Sequence, residues 1–162
     1  MISHQICPCG IEVVAISNNT LINLGREIMD ANVSTAEKLE KPHILVVDDD
    51  AALRDITVEL IELLGYSVTA AGGSNEAITR IKENPGTFDA VFTDYSLPII
   101  NGLELAKMVG EISADIPIIL CSGKIDLIDE NQIAAAGIAE VARKPYTISD
   151  LDSIIKRVVH EN

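Results

Sequence analysis

The chain contains no tryptophan, two phenylalanines and three tyrosines in 162 residues. So few aromatic rings leave no stacking platform for the bases of a single-stranded nucleic acid. Basic residues are also scarce: twelve Lys and Arg stand against twenty-five Asp and Glu, giving a formal charge of −13, and they are scattered rather than clustered. A phosphate backbone therefore has no positive stripe to bind, and nucleic acid is not an expected partner. Cysteine is limited to Cys7, Cys9 and Cys121. The first two form a Cys-x-Cys without a second pair at zinc spacing, and an odd total makes no disulfide framework, so free thiols in a reducing compartment are expected. Cys121 lies inside an apolar run, where it acts as a small hydrophobe. No apolar run is long enough to span a membrane, and the opening "MISHQICPCG" lacks the basic-then-apolar pattern of a secretory signal. These absences together predict a cytoplasmic protein that does not insert into a membrane.

What is present is regular. Hydrophobic residues make up 48% of the chain, enough for one good core plus an extension, and from Pro42 onward two periodicities alternate. Short β-branched runs at 43–48, 66–71, 88–94, 116–121 and 137–143 read as five strands. Helical patterns fill the intervals. Leu53, Ile56, Leu60, Leu63 and Leu64 form an apolar stripe closed by Gly65, and further helices are predicted over 74–84, 102–113, 126–136 and 147–160. In the last of these Thr147 is placed as a cap, with Asp150 three residues on. Five β-α pairs with near-continuously apolar central strands imply a doubly wound α/β fold, a parallel sheet covered on both faces. In such folds, ligands bind beyond the carboxyl ends of the strands, where strand order reverses.

The polar residues fall at those ends. The first strand runs into Asp48, Asp49 and Asp50, the third ends in Asp94, the fourth is followed by Ser122 and the fifth by Lys144. Two carboxylates about 4 Å apart repel by roughly 4 kcal/mol at an effective dielectric of 20, so a cluster of Asp48, Asp49 and Asp94 calls for a neutralising partner. A divalent cation with all-oxygen ligands, Mg²⁺ or Mn²⁺, meets that need and leaves positions for water or phosphate oxygens. Asp94 stands alone on the middle strand and is the better nucleophile toward phosphorus, with Lys144 and Ser122 placed to contact phosphoryl oxygens. Asp50 reads as the cap of the first helix.

From His43 to Val159 the chain resembles the receiver domain of two-component response regulators, whose strand order is 2-1-3-4-5. The family's acid pair falls on Asp48 and Asp49, and its D-x-x-x-P-x-x-x-G stretch falls on "DYSLPIING", with Asp94, Pro98 and Gly102 in register. Its Ser/Thr falls on Ser122 and its Lys-Pro, usually cis, on Lys144 and Pro145. The resemblance implies that Asp94 is phosphorylated, that Asp49 and Asp94 ligate the metal with the backbone carbonyl of Ser96, and that Asp48 is a supporting acid acting through water. It also implies that Ser96 and Lys124 occupy variable positions that influence hydrolysis of the acyl phosphate. The position of the family's aromatic switch residue holds Val141 instead. His43, at a strand start, reads as a packing residue.

Residues 42–162 are thus expected to form the receiver, and residues 1–41 an extension or linker. In that extension "GIEVVAIS" reads as a strand and Leu21, Leu24, Ile28 and Ala31 as one face of a helix. The chain is expected to be either a stand-alone regulator or the C-terminal receiver of a hybrid histidine kinase, acting through a downstream protein partner rather than an output domain of its own. A sensor histidine kinase or phosphotransfer protein is the implied phosphodonor, and a homodimer is compatible with the reading. A second reading, a Mg²⁺-dependent phosphatase of haloacid-dehalogenase type with a D-x-D-x-T/V motif, fails at Ala52 and lacks a cap domain. A third, a receiver that binds partners without being phosphorylated, sits poorly with the intact acid set. The chain is not expected to be a metabolic enzyme.

Overall fold

The computed structural model describes residues 3–6, 12–15 and 41–160. The chain divides into two compact units, Met1–Lys38 and Leu39–Asn162. In the first, β1 (Ser3–Ile6) pairs antiparallel with β2 (Glu12–Ala15), opposing Ser3 to Ala15 and Ile6 to Glu12. The strand expected at "GIEVVAIS" is therefore present as β2. The helix expected around Leu21 to Ala31, and Cys7 and Cys9, lie outside the described residues.

The second unit follows the order β3 (His43–Val47), α1 (Ala51–Leu63), β4 (Ser67–Ala71), α2 (Ser74–Glu83), β5 (Ala90–Asp94), α3 (Gly102–Ile112), β6 (Ile118–Ser122), α4 (Glu130–Ala135), β7 (Ile138–Arg143) and α5 (Ile148–His160). Its sheet has the order β4-β3-β5-β6-β7, and every pairing is parallel. Numbered from β3, that is 2-1-3-4-5, the doubly wound arrangement expected from the sequence.

Alternation along the buried central strands divides the core in two. Leu45, Val47, Val91 and Leu120 face Ile81, Leu105 and Val109 of α2 and α3. Ile44, Val46, Phe92 and Ile119 face Ile61 of α1 and Leu151 and Ile155 of α5. Each fully buried side chain of this size contributes about 1.5–3 kcal/mol, so the two half-cores clamp the sheet and fix the heights at which its strands end.

Local chemistry sets the helix boundaries. Asp50 caps α1, accepting from the Ala52 and Leu53 N–H groups, and Gly65 turns the chain out of it at φ 96°. Asn101 and Glu104 form a capping box on α3. At α5, the Thr147 hydroxyl accepts from Asp150 N–H while Asp150 accepts from Thr147 N–H, as the sequence suggested.

Two expectations need correction. The helix predicted over 126–136 is broken into a 3₁₀ turn, Ile125–Leu127, and the short α4. Ile128 adopts an extended conformation and is buried, while Asp129 starts a new helix by capping Asn131 N–H; core burial and a second cap override the continuous pattern. The stripe on α1 is only in part a core contact. Leu60 and Leu64 pack against the core, but Leu53, Ile56 and Leu63 are 47%, 54% and 76% exposed, and the helix fully buries Thr57 and Ile61. Thr57 tolerates burial because its hydroxyl donates to Leu53 O at 2.9 Å and shares a 2.9 Å bond with the Tyr146 hydroxyl.

Gly102 has a steric reason. A Cβ there would lie 2.5 Å from the Asp94 carbonyl oxygen and 2.7 Å from Leu120 Cδ1, so α3 can approach the end of β5 only without a side chain. Gly102→Ala is expected to destabilise the domain by about 1–3 kcal/mol, read as a lower urea midpoint with unchanged slope. An unchanged midpoint would refute the close approach.

Candidate functional site

Parallel strands in register deliver their C-terminal residues to one rim, and the polar residues anticipated there arrive together. Asp94 ends β5 opposite Cys121 of β6, and Ser122 ends β6 opposite Arg143 of β7. Asp48 directly follows β3 and Lys144 directly follows β7. The Lys144–Pro145 peptide bond is cis, and Lys144 N–H donates to the Ser122 carbonyl at 2.9 Å.

Lys144 is the hub. Its ammonium lies 2.7 Å from Asp94 Oδ1 and 3.2 Å from Asp48 Oδ2, and all three side chains are largely withdrawn from solvent, at 25%, 12% and 10% exposure. Burial by itself would lower the Lys144 pKa, but the hydrogen bond it donates to Asp94 and the two carboxylate charges outweigh it and hold the ammonium above its ordinary value. Two carboxylates against one ammonium leave one negative charge uncompensated, and the exposed Asp49 beside them adds another. The neutralisation expected of a cation is thus supplied in part by Lys144.

Backbone and side-chain bonds fix the acids further. Asp48 Oδ1 accepts from Asp50 N–H at 2.9 Å, and the Asp48 carbonyl accepts from Arg54 Nη1 at 2.8 Å. Asp94 Oδ2 accepts from Ser96 N–H at 2.6 Å, so both Asp94 oxygens are engaged and the carboxylate is oriented. The buried Ser122 hydroxyl accepts from Lys124 N–H at 3.1 Å, which leaves its own proton to donate elsewhere. Asp49 takes part in neither Lys144 ion pair.

The donor set suits a hard divalent cation. Among the described residues no three His, Cys, Asp or Glu side chains form a ready-made metal cage. An ion held here would have few carboxylates and would keep its other positions for water or a ligand's oxygens, which is the habit of Mg²⁺. His43 is not part of the site. Its Nε2 bonds Thr69 Oγ1 at 2.8 Å and its ring packs edge-on against Phe88 at 5.0 Å.

Sequence reasoning passes over three contributors. Arg54 looks like an ordinary charge on a helix surface, and nothing in linear spacing connects it with the Asp48 carbonyl. Tyr146 closes the floor behind Lys144, edge-on to Phe92 at 5.8 Å, and burial pushes its hydroxyl up to about 12. Arg143 holds Asp126 across the β6–α4 connection. Only the Lys-Pro-Tyr adjacency could have drawn attention to any of them.

A family model described as the response regulator receiver domain matches residues 44–156. The response regulator receiver protein CpdR of Brucella abortus is 31% identical over 116 residues, covering 72% of this chain and 95% of that protein. The transcription factor SKN7 of Chaetomium thermophilum is 30% identical over 118 residues, a match that takes in 73% of this chain but 15% of that much longer protein. Among solved structures, the response regulator protein TrrA of Thermotoga maritima, in complex with Mg²⁺-BeF, superposes with a TM-score of 0.65 at 27% identity, covering 72% of this chain and 98% of that one. Among the described residues, no helix is long and apolar enough to cross a membrane.

Burial also pushes the Cys121 thiol up to about 12, so very little of it is thiolate at neutral pH. In the folded protein, iodoacetamide at pH 8 is expected to modify Cys121 about a hundredfold or more slowly than in urea, read by peptide mass mapping. Comparable rates in both conditions would contradict the enclosure of β6.

Proposed function

Because the chain belongs to the response regulator receiver domain family of two-component signalling, we propose that Asp94 is its phosphoacceptor and that phosphorylation changes its affinity for a protein partner. The observation that carries this reading is the convergence of Asp48, Asp94 and Lys144 at one rim, within 3.2 Å of a shared ammonium. In the transfer an Asp94 carboxylate oxygen bonds to phosphorus as the P–N bond of a phosphohistidine breaks, and the imidazole leaves with the electron pair. Lys144, now bonded to Asp94 Oδ1, passes to a charged phosphoryl oxygen, and the Ser122 hydroxyl donates its free proton to another.

Mg²⁺, or Mn²⁺, would be held by Asp49, Asp94 and the Ser96 carbonyl, with Asp48 supporting through water; when bound, it supplies the positive charge that lets an anionic donor approach an acidic rim. The receiver comprises residues 42–162, with 1–41 as an extension or linker. A cytoplasmic setting suits the free thiol of Cys121.

The exposed stripe on α1 gives the donor a place to dock. Leu53, Ile56 and Leu60 line an apolar groove of about 370 Å³ with Lys144, Pro145 and Tyr146, so the groove ends on the residue that holds Asp94. Its occupant is the histidine-bearing helix of a sensor kinase or phosphotransfer protein, apolar on the docking face.

Intact mass after incubation with acetyl phosphate and Mg²⁺ is expected to show one phosphoryl adduct, labile to hydroxylamine and missing from Asp94→Asn. Adduct formation in that variant would overturn the assignment. Lys144→Ala should slow phosphorylation by about a hundredfold while retaining Mg²⁺ binding. Separately, calorimetric titration with Mg²⁺ should show Asp49→Ala weakened by about tenfold or more; equal affinity would remove Asp49 from the metal shell.

A further inference from the structure

The segment after Ser122 is tethered at few points. Gly123 and Lys124 lead into the 3₁₀ turn Ile125–Leu127, closed by Leu127 N–H to Lys124 O at 3.0 Å and Ile128 N–H to Ile125 O at 2.9 Å. At its start the Ser122 hydroxyl accepts from Lys124 N–H, and at its far end Ile128 is buried. Between them Ile125 packs against the core, and the polar anchor is a bidentate ion pair: Arg143 Nη1 lies 2.6 Å from Asp126 Oδ2, and Arg143 Nη2 lies 2.7 Å from Asp126 Oδ1. Arg143 is the neighbour of Lys144. One dipeptide thus grips the Asp94 carboxylate with its lysine and the loop after Ser122 with its arginine.

We propose that the Arg143–Asp126 pair is a positioning device that holds Gly123–Ile128 in the arrangement where Ser122 is engaged by its own loop, and so sets how readily that hydroxyl is released toward Asp94. The inference rests on Asp94 being the phosphoacceptor. Ser122 can donate while it accepts from Lys124 N–H, so carrying it toward a phosphoryl group carries the loop with it, and Ile125 packing and the ion pair resist that movement. Val141 on this face lines an open groove of about 550 Å³ with Ile125, Ile133 and Ile138, and Asp126 and Arg143 also line it. With no bulky ring in the groove, restraint of the loop is shared between Ile125 and the pair. Competing charge is limited, because Glu140 on the same strand is taken by Arg157 at 3.0 Å, although Glu130 also lines the groove.

Both partners are exposed, at 58% and 74%, so the pair is weak and screened by salt. A weak restraint suits a bias between two loop states, since a change of about two- to fivefold in population is what an exposed pair can impose.

Amide hydrogen exchange across 123–128 of the unphosphorylated full chain is the first test. Arg143→Gln and Asp126→Asn are each expected to speed exchange there by about two- to fivefold, and the charge-swapped Arg143→Asp, Asp126→Arg double variant to bring it back toward wild type. The second readout is phosphorylation by acetyl phosphate, expected to accelerate by a similar factor in the single variants and to lose part of its dependence on ionic strength. Unchanged exchange in both single variants, or a swap that behaves as the sum of two losses, would overturn the proposal. Because the exchange measurement needs no phosphate, it judges the device even if Asp94→Asn shows the phosphoacceptor reading to be wrong.

Discussion

A positive charge and two carboxylates, all largely withdrawn from solvent, are the constraint on which the site depends. Lys144 can stand there because Asp48 and Asp94 lie within 3.2 Å of it, and they can stand there because it does. Removing the ammonium would leave two desolvated carboxylates facing each other, a strongly unfavourable arrangement. The parallel sheet supplies the geometry: β3, β5 and β7 must end at the same level for the three groups to meet. The half-cores on either face hold those levels, and Gly102 lets α3 come close enough to the end of β5 to keep Asp94 in place.

That arrangement is incomplete by design of charge. In the proposed function, the uncompensated negative charge and the exposed Asp49 receive a cation, and Lys144 exchanges Asp94 for a phosphoryl oxygen. The chain spends little structure on this exchange. Ser122 keeps a donatable proton while its oxygen is satisfied by Lys124, and no buried side-chain nitrogen or oxygen among the described residues lacks a partner.

The helix next to the site shows how a surface can be prepared without being part of the core. α1 is anchored by Ile61 and by a buried threonine that hydrogen-bonds back into its own helix and to Tyr146. Leu53, Ile56 and Leu63 are turned outward, the first two beside the same Lys-Pro-Tyr segment that organises the rim. A helix with a leucine-rich stripe that leaves much of that stripe exposed is spending burial energy it could have taken, which fits a face reserved for another molecule.

Much of this was legible in one dimension. The alternation of β-branched runs with helical periodicity identified five strands and a doubly wound sheet, because periods of 2 and 3.6 residues are properties of the local chain. Strand-end chemistry pointed to Asp48, Asp49, Asp94, Ser122 and Lys144, because in a parallel sheet all strand ends share one rim. Caps such as Asp50 and the Thr147–Asp150 box were readable for the same reason: donor and acceptor lie within three residues of each other. What remained hidden depends on contacts between distant segments. That a threonine is buried on α1 beside Ile61 depends on Tyr146, 89 residues from Thr57. The break before α4 followed from Ile128 finding the core. Arg54, Arg143 and Asp126 gained their roles only when folding brought charges on separate elements together, and Lys144 became the partner of two acids 96 and 50 residues away. Local periodicity and strand-end chemistry are written along the chain; which charges become partners is settled only by the distances that tertiary packing imposes.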